Sequence, residues 1–411
     1  CDKWLPFDKY GADHRGWYED TRSPNGYQLC YTAHGNKDQF NQMVDACLVT
    51  LEDAIRTYPQ IENITLTQLD APTCCECETC SAVVRKDGSI SATIIRFINA
   101  LDNKFREKHP DSKLNILFFA YQASLAAPST PVEEDPTLKC NEHVFPIIAP
   151  INANYTRSFY DEVNEQYANN FTSWSKYCSR FCAWIYECNY KHYMYPYNSY
   201  QSMVDTYKFL KQYNTAIMYN EGQRYNTAIP CFGRFKDYID SKLNVNVNVR
   251  FSDLKRTYFD NYYGDAGVYM EQLYNEMTSW TEYVEQTYMS DPGYLYEDID
   301  ASEEYWPKPM MEHYLDLCDK AYEAIAPLRI KDVAKYNVFY EHINIESMFP
   351  RYVLCDLYAY LYDVQTIRDL RLTFKKDCQE LGIQEYCEVH TFYPVGEQGW
   401  MSEKFTEWGI N

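Results

Sequence analysis

Between residues 63 and 219 short apolar runs alternate with helical stretches, and this alternation constrains the fold more than any other feature of the chain. Segments 63–68, 114–121, 144–151, 181–186 and 215–219 read as nearly continuous apolar runs, the pattern of strands covered on both faces. Phe40, Met43, Val44, Cys47, Leu48, Leu51 and Ile55 recur at three- and four-residue steps before Pro59, and Ile94, Ile95, Ile98, Leu101 and Phe105 do so before Pro110. Further helices are expected over 159–177, 199–213 and 235–243. Strand and helix in turn are the signature of parallel βαβ units. The expected fold class is therefore α/β, a TIM (β/α)8-type barrel. Five strands are legible where eight close a barrel, so the first ones are expected in residues 1–35, where 27–31 reads as one short strand, or upstream. An open doubly wound sheet is the alternative, and no glycine-rich phosphate fingerprint follows any strand to support it.

Past residue 245 the strand signal fades. Residues 253–289 read as helical and 290–309 as an acidic linker with prolines. Helical spacing then returns at Tyr314, Leu317, Cys318, Tyr322 and Ile325. The expected organisation is a barrel domain over 1–285 and a helical C-terminal domain over 290–411.

Lys and Arg number 38 against 59 Asp and Glu, a net charge of -21. Such a balance opposes nucleic-acid binding, which tracks phosphates with clustered cations. No apolar run approaches the ~20 residues needed to span a bilayer. Tyr is abundant at 41 residues, beside 8 Trp and 20 Phe. Rings with a polar edge suit sugars, whose C–H faces pack on π systems while hydroxyls take hydrogen bonds; half-buried Tyr in place of Phe is the structural alternative. The first residue is Cys1, so the sequence reads as a processed or excised piece with targeting signals out of view.

Three carboxylates stand at expected strand ends: Asp70, Glu187 and Glu221. In a barrel such ends open on one face, and two converging carboxylates are what glycoside hydrolysis requires. The competing role for each is an exposed or helix-capping acid. Asp70 and Glu221 are expected to face each other across a tyrosine-lined pocket, with Glu187 in reserve. Gln68, Tyr121, Trp184, Tyr186, Asn220 and Arg224 are the candidate substrate-binding residues, with core packing the competing account for the aromatic ones.

After Asp70 comes Cys75-x-Cys77-x-x-Cys80, with Cys74 adjacent. A structural zinc held by Cys75, Cys77 and Cys80, a disulfide stapling the loop, and free thiols all fit this spacing. A metal or a disulfide would stiffen the loop after Asp70, and the expected reaction requires no cofactor.

Gln68-x-Asp70 followed by the cysteine run, with Asp13-His14-x-x-Trp17-Tyr18, Gln28-Leu29-Cys30, Trp184-x-Tyr186 before Pro196, and the strand leading to Glu221-Gly222, carries a resemblance. Over residues 1–285 the chain resembles a bacterial family long called a domain of unknown function, which includes glycoside hydrolase family 163, endo-β-N-acetylglucosaminidases acting on N-glycans. The resemblance implies a secreted or cell-surface TIM-barrel glycosidase with a glycan substrate. Leu69 stands where the family pattern has Asn, which bears on specificity and activity. The expected activity is hydrolysis of β-linked N-acetylhexosamine, by two carboxylates or with the substrate's own acetamido carbonyl as nucleophile. A non-catalytic glycan-binding barrel would keep Trp184 and the tyrosines without needing Asp70 or Glu221. A uronidase-like glycosidase would set a cation such as Arg224 against a substrate carboxylate.

Overall fold

Residues 115–121 (NILFFAY) and 144–149 (VFPIIA) are buried enough to form the centre of a sheet, and they do. The computed structural model describes residues 29–70, 72–223, 226–289, 293–296, 302–388, 390–393 and 404–410. Asp13, His14, Trp17, Tyr18, Gln28, Arg224 and most of the linker before 302 lie outside them. Five strands, β1 (Asn63–Thr65), β2 (Asn115–Tyr121), β3 (Val144–Ala149), β4 (Phe181–Tyr186) and β5 (Thr215–Glu221), form one sheet in the order β1-β2-β3-β4-β5. Ile64 lies opposite Ile116, Leu117 opposite Phe145, and Ile147 opposite Cys182, all in parallel pairing. The architecture is α/β, with a parallel five-stranded sheet curled as a half-barrel. A doubly wound sheet reverses its strand order at a switch point, and this sheet does not, which removes that alternative. The expected eight-stranded closure is not found: among the described residues the sheet has five strands.

Two details differ from the pattern of apolar runs. β1 stops at Thr65 rather than 68, but the ladder continues by other means: the Leu66 N–H donates to the Leu117 carbonyl at 2.8 Å. The Gln68 amide then takes the place of a backbone, donating to the Phe119 carbonyl at 2.7 Å and accepting from the Phe119 N–H at 3.1 Å. The expected strand at 27–31 is not seen in its described part, where residues 31 and 32 form a turn leading into a 3-10 turn at Ala33–Gly35.

The chain divides into two compact units, Cys1–Ile151 with Asn164–Ile185 and Phe209–Tyr219, and Asn152–Val163 with Tyr186–Lys208 and Asn220–Asn411. In the first, α1 (Lys37–Thr57) packs on α3 (Ser91–Lys108), which buries Ile94, Ile95, Ile98, Leu101 and Phe105. Between them α2 (Glu78–Asp87) ends at Gly88 with φ +77, where a Cβ would meet Ser129 Oγ at 2.4 Å, so glycine is required there. Trp174 of α4 (Glu165–Trp174) packs on Phe118 and donates its indole N–H to the Leu125 carbonyl at 2.8 Å.

The second unit is mostly helical, with α5 (Tyr200–Lys211) at the division, then α6 (Gly233–Leu243), α7 (Phe251–Tyr262), α8 (Gly267–Tyr288), α9 (Lys308–Ile325), the short α10 (Leu328–Lys331), α11 (Val333–Asp356) and α12 (Val364–Leu381). No described helix is long and apolar enough to cross a membrane. Helix α11 is buried on every side from Ile345 to Cys355, as expected of a helix with little amphipathic pattern at the centre of a bundle. Its Glu346 is wholly enclosed, accepting from the Phe232 N–H at 2.7 Å and the Tyr263 hydroxyl at 3.1 Å. The first of these bonds holds Phe232 at φ +58, a left-handed conformation unusual for an aromatic residue.

Burial pushes the Glu346 carboxyl up to about 8, against the pull of those two donors, and pushes Glu285 up to about 7. A carboxyl raised in the fold keeps a proton that the unfolded chain sheds. The fold therefore suffers no penalty below about pH 4.5, loses stability as the pH rises from there to about 8, and changes no further above it. Urea denaturation at pH 5 and pH 8 tests this. Glu346→Gln, which copies the protonated acid, should gain about 3–4 kcal/mol over the unsubstituted chain between the two conditions; the same difference at both pH values contradicts the assignment.

Candidate active site

Strand alternation places every second side chain of β2, β4 and β5 on one face of the sheet. Deep on that face Leu117, Phe145, Ile147 and Cys182 form an apolar cluster, flanked by Ile217. Toward the strand ends the same face carries rings: Phe119 lies 6.0 Å from Tyr121 and 5.2 Å from Trp184, and Trp184 lies 4.0 Å from Tyr219. Phe119, Tyr121 and Trp184 are half-buried and Tyr219 is exposed. A band of partly open rings is the surface on which a sugar's C–H face packs. Trp184 and Tyr121 were anticipated in it. Phe119 and Tyr219 were not, although each stands on the same face as an anticipated residue.

Gln68 buttresses this band from behind, since its amide is bound to the Phe119 backbone and to Ser124. Leu69 and Asp70 are exposed, and Asp70 accepts from Gln122 Nε2 at 3.1 Å.

In the second unit the main chains of two other acids meet. Glu187 follows β4 and Glu221 ends β5, and the Glu187 N–H donates to the Glu221 carbonyl at 3.0 Å. The Glu187 carboxyl is buried and accepts from Asn220 Nδ2 at 2.8 Å. Gly222 makes room for it, because a Cβ at 222 would lie 2.7 Å from Glu187 Oε1. Beneath the loop, Lys236 of α6 donates to the carbonyls of Glu187 at 2.6 Å and Tyr197 at 2.8 Å. Its ammonium also lies 4.8 Å from the centre of the Tyr200 ring, within cation–π reach. Glu187, Asn189, His192, Gln223 and Lys236 line a small cavity here.

Burial pushes the Glu187 carboxyl up to about 8; the Lys236 charge opposes that rise, and Asp237 and Asp240 add to it. Burial likewise pushes the Lys236 ammonium down. Glu221 is half-buried, and its charge joins burial and Cys188 in raising the Tyr190 hydroxyl. Tyr186 is enclosed between Tyr155 at 5.5 Å and Tyr190 at 6.2 Å, the surroundings of a packing residue. One acid kept protonated near neutrality beside a second in a more open setting is the arrangement that proton donation and charge stabilisation need. The burial expected of the donor thus falls on Glu187, the reserve acid of the sequence reading, and not on exposed Asp70. Lys236 was missed altogether. Its signal was a cation on the apolar face of a helix, among Phe232, Phe235, Ile239 and Leu243.

Cys75, Cys77 and Cys80 come together as the spacing suggested, and Cys30 joins them in place of Cys74, which packs outside the group. All four could hold a metal, since their sulfurs lie within 4.8 Å of one another.

The family model described as domain of unknown function DUF4838 matches residues 1–275. The chain belongs to the DUF4838 family. No curated protein matches the sequence. The matched span of this DUF4838 chain takes in the aromatic band, the cysteine group, Glu187, Glu221 and Lys236.

Lys236 is the support on which the Glu187 loop rests, so Lys236→Met should leave two buried carbonyls without their donor. Its unfolding free energy in urea should fall by about 2–4 kcal/mol. A loss below about 0.5 kcal/mol, the scale of an ordinary surface change, would show that the loop does not depend on it.

Proposed function

We propose that this DUF4838 protein is a glycoside hydrolase that cleaves β-linked N-acetylhexosamine-containing glycans, N-glycans among them, on a (β/α)8-type scaffold. The observation that carries the reading is the buried, proton-retaining Glu187 hydrogen-bonded through its main chain to the strand end that bears Glu221. Glu187 gives its proton to the leaving oxygen as the glycosidic bond breaks. Glu221, ionised, stabilises the anomeric carbon or orients the acetamido group whose carbonyl attacks it. Water then adds to that carbon and returns a proton to Glu187. The chemistry requires no cofactor.

The substrate class and a secreted or cell-surface location rest on the resemblance carried by Gln68, Asp70 and the cysteine run. The ring band of Phe119, Tyr121, Trp184 and Tyr219 supports a carbohydrate ligand on independent grounds. One observation favours a second reading, glycan binding without turnover: Leu69 is exposed where the resembling family has Asn.

Hydrolysis of aryl β-N-acetylglucosaminides separates these readings. Glu187→Gln should lower turnover by about 10²–10⁴ with a poor leaving group and far less with an activated one, which needs no protonation. Glu221→Gln should lower both alike. Equal rates for both variants and the unsubstituted protein would remove the assignment, and glycan binding without any turnover would establish the second reading.

A further inference from the structure

We propose that Cys30, Cys75, Cys77 and Cys80 form a closed, structural tetrathiolate zinc site in the first unit, independent of the glycosidase reading. The sulfur spacing carries it. Cys30 Sγ lies 3.8 Å from Cys77 Sγ and 3.7 Å from Cys80 Sγ, and all four buried sulfurs fall within 4.8 Å of one another. Zinc holds thiolates at about 2.3 Å in a tetrahedron, and the edge of such a tetrahedron is about 3.8 Å. The four cysteines are free. Disulfide pairing draws sulfurs together two by two to about 2.05 Å, and does not account for one sulfur standing equally far from two others. A cubane iron–sulfur cluster binds each cysteine to a different iron and spreads the sulfurs wider than this.

Hydrogen-bond donors around the group form the second observation. The His34 N–H points at Cys30 Sγ at 3.2 Å, and the Cys80 N–H at Cys77 Sγ at 3.5 Å. Thr32 Oγ1 lies 3.2 Å from Cys80 Sγ and 3.4 Å from Cys30 Sγ. Zinc with four thiolates carries two net negative charges, and donors aimed at the sulfurs are what a buried site of that charge needs. Cys77 also caps the N-terminus of α2, whose dipole favours a thiolate there.

Local backbone explains how the ligands meet. Cys77-x-x-Cys80 occupies the first turn of α2, with Cys75 just before it. On the other side, His34 at φ +54 and Gly35 at φ +82 curl the chain after Cys30. A Cβ at Gly35 would come within 2.8 Å of Thr79 Oγ1, so the curl closes tightly on the start of α2. Four protein ligands leave no open position, and the ion's role is to clamp the segment around Cys30 onto the loop that follows Asp70.

Metal analysis of the full chain tests the site. The protein should carry about one zinc, Cys30→Ser and Cys80→Ser should lose it, and Cys74→Ser should keep it. Because a ligand variant can misfold, the unsubstituted protein supplies a second measurement: chelation should release the zinc and expose four further thiols to an alkylating reagent. Cobalt in place of zinc should give the strong visible absorption of a tetrahedral thiolate site. A folded, metal-free protein whose alkylation is unchanged by chelator, full zinc in Cys30→Ser, or iron as the resident metal would each overturn the proposal.

Discussion

Parallel pairing in unbroken order is the constraint on which the rest depends, because it brings every strand of the sheet to its end along the same edge. Each strand is followed by a return through a helix or long loop, so residues far apart in sequence finish side by side. Register does the remaining work. Leu117 opposite Phe145 and Ile147 opposite Cys182 fix the apolar face, and the next outward positions on that face are then Phe119, Trp184 and Tyr219. The ladder is strong enough in its demands that a side chain completes it, with Gln68 acting as a strand residue toward Phe119.

Ionisable groups in the second unit obey a different rule. An isolated charge in an apolar interior is costly, so buried acids hold protons and buried cations find several acceptors. Glu346 meets this with two donors, and Lys236 with two carbonyls and the rings of Tyr197 and Tyr200. Glu187 accepts from Asn220 and borders a small cavity. Glu187 thus differs from Glu346 in lying against a small cavity, whereas Glu346 is enclosed on every side.

The sheet was legible in the sequence because strands covered on both faces announce themselves as apolar runs, and all five were placed. The end of β1 was not, since no pattern reveals that a glutamine amide will stand in for a backbone. Helix α2 was hidden inside a cysteine run whose spacing reads first as ligands. Cys30 was missed as a partner of Cys75, Cys77 and Cys80 because nothing between residues 30 and 75 marks the two segments as neighbours. For the acids, strand ends marked Asp70, Glu187 and Glu221 but not which of them would be buried. Glu187 is buried and Asp70 exposed, and the surroundings of Glu187 are made by Gly222, Asn220 and Lys236, which meet only in the fold.

Whether Glu187 is the proton donor is read most directly from the pH dependence of kcat/KM for a β-N-acetylglucosaminide, which reports the ionisations of the free enzyme. With Glu187 as donor the rate should fall on the alkaline side with a midpoint near its raised value, about 8. A rate that falls instead with a midpoint in the ordinary carboxylate range, or that stays level well past that value, would contradict that role.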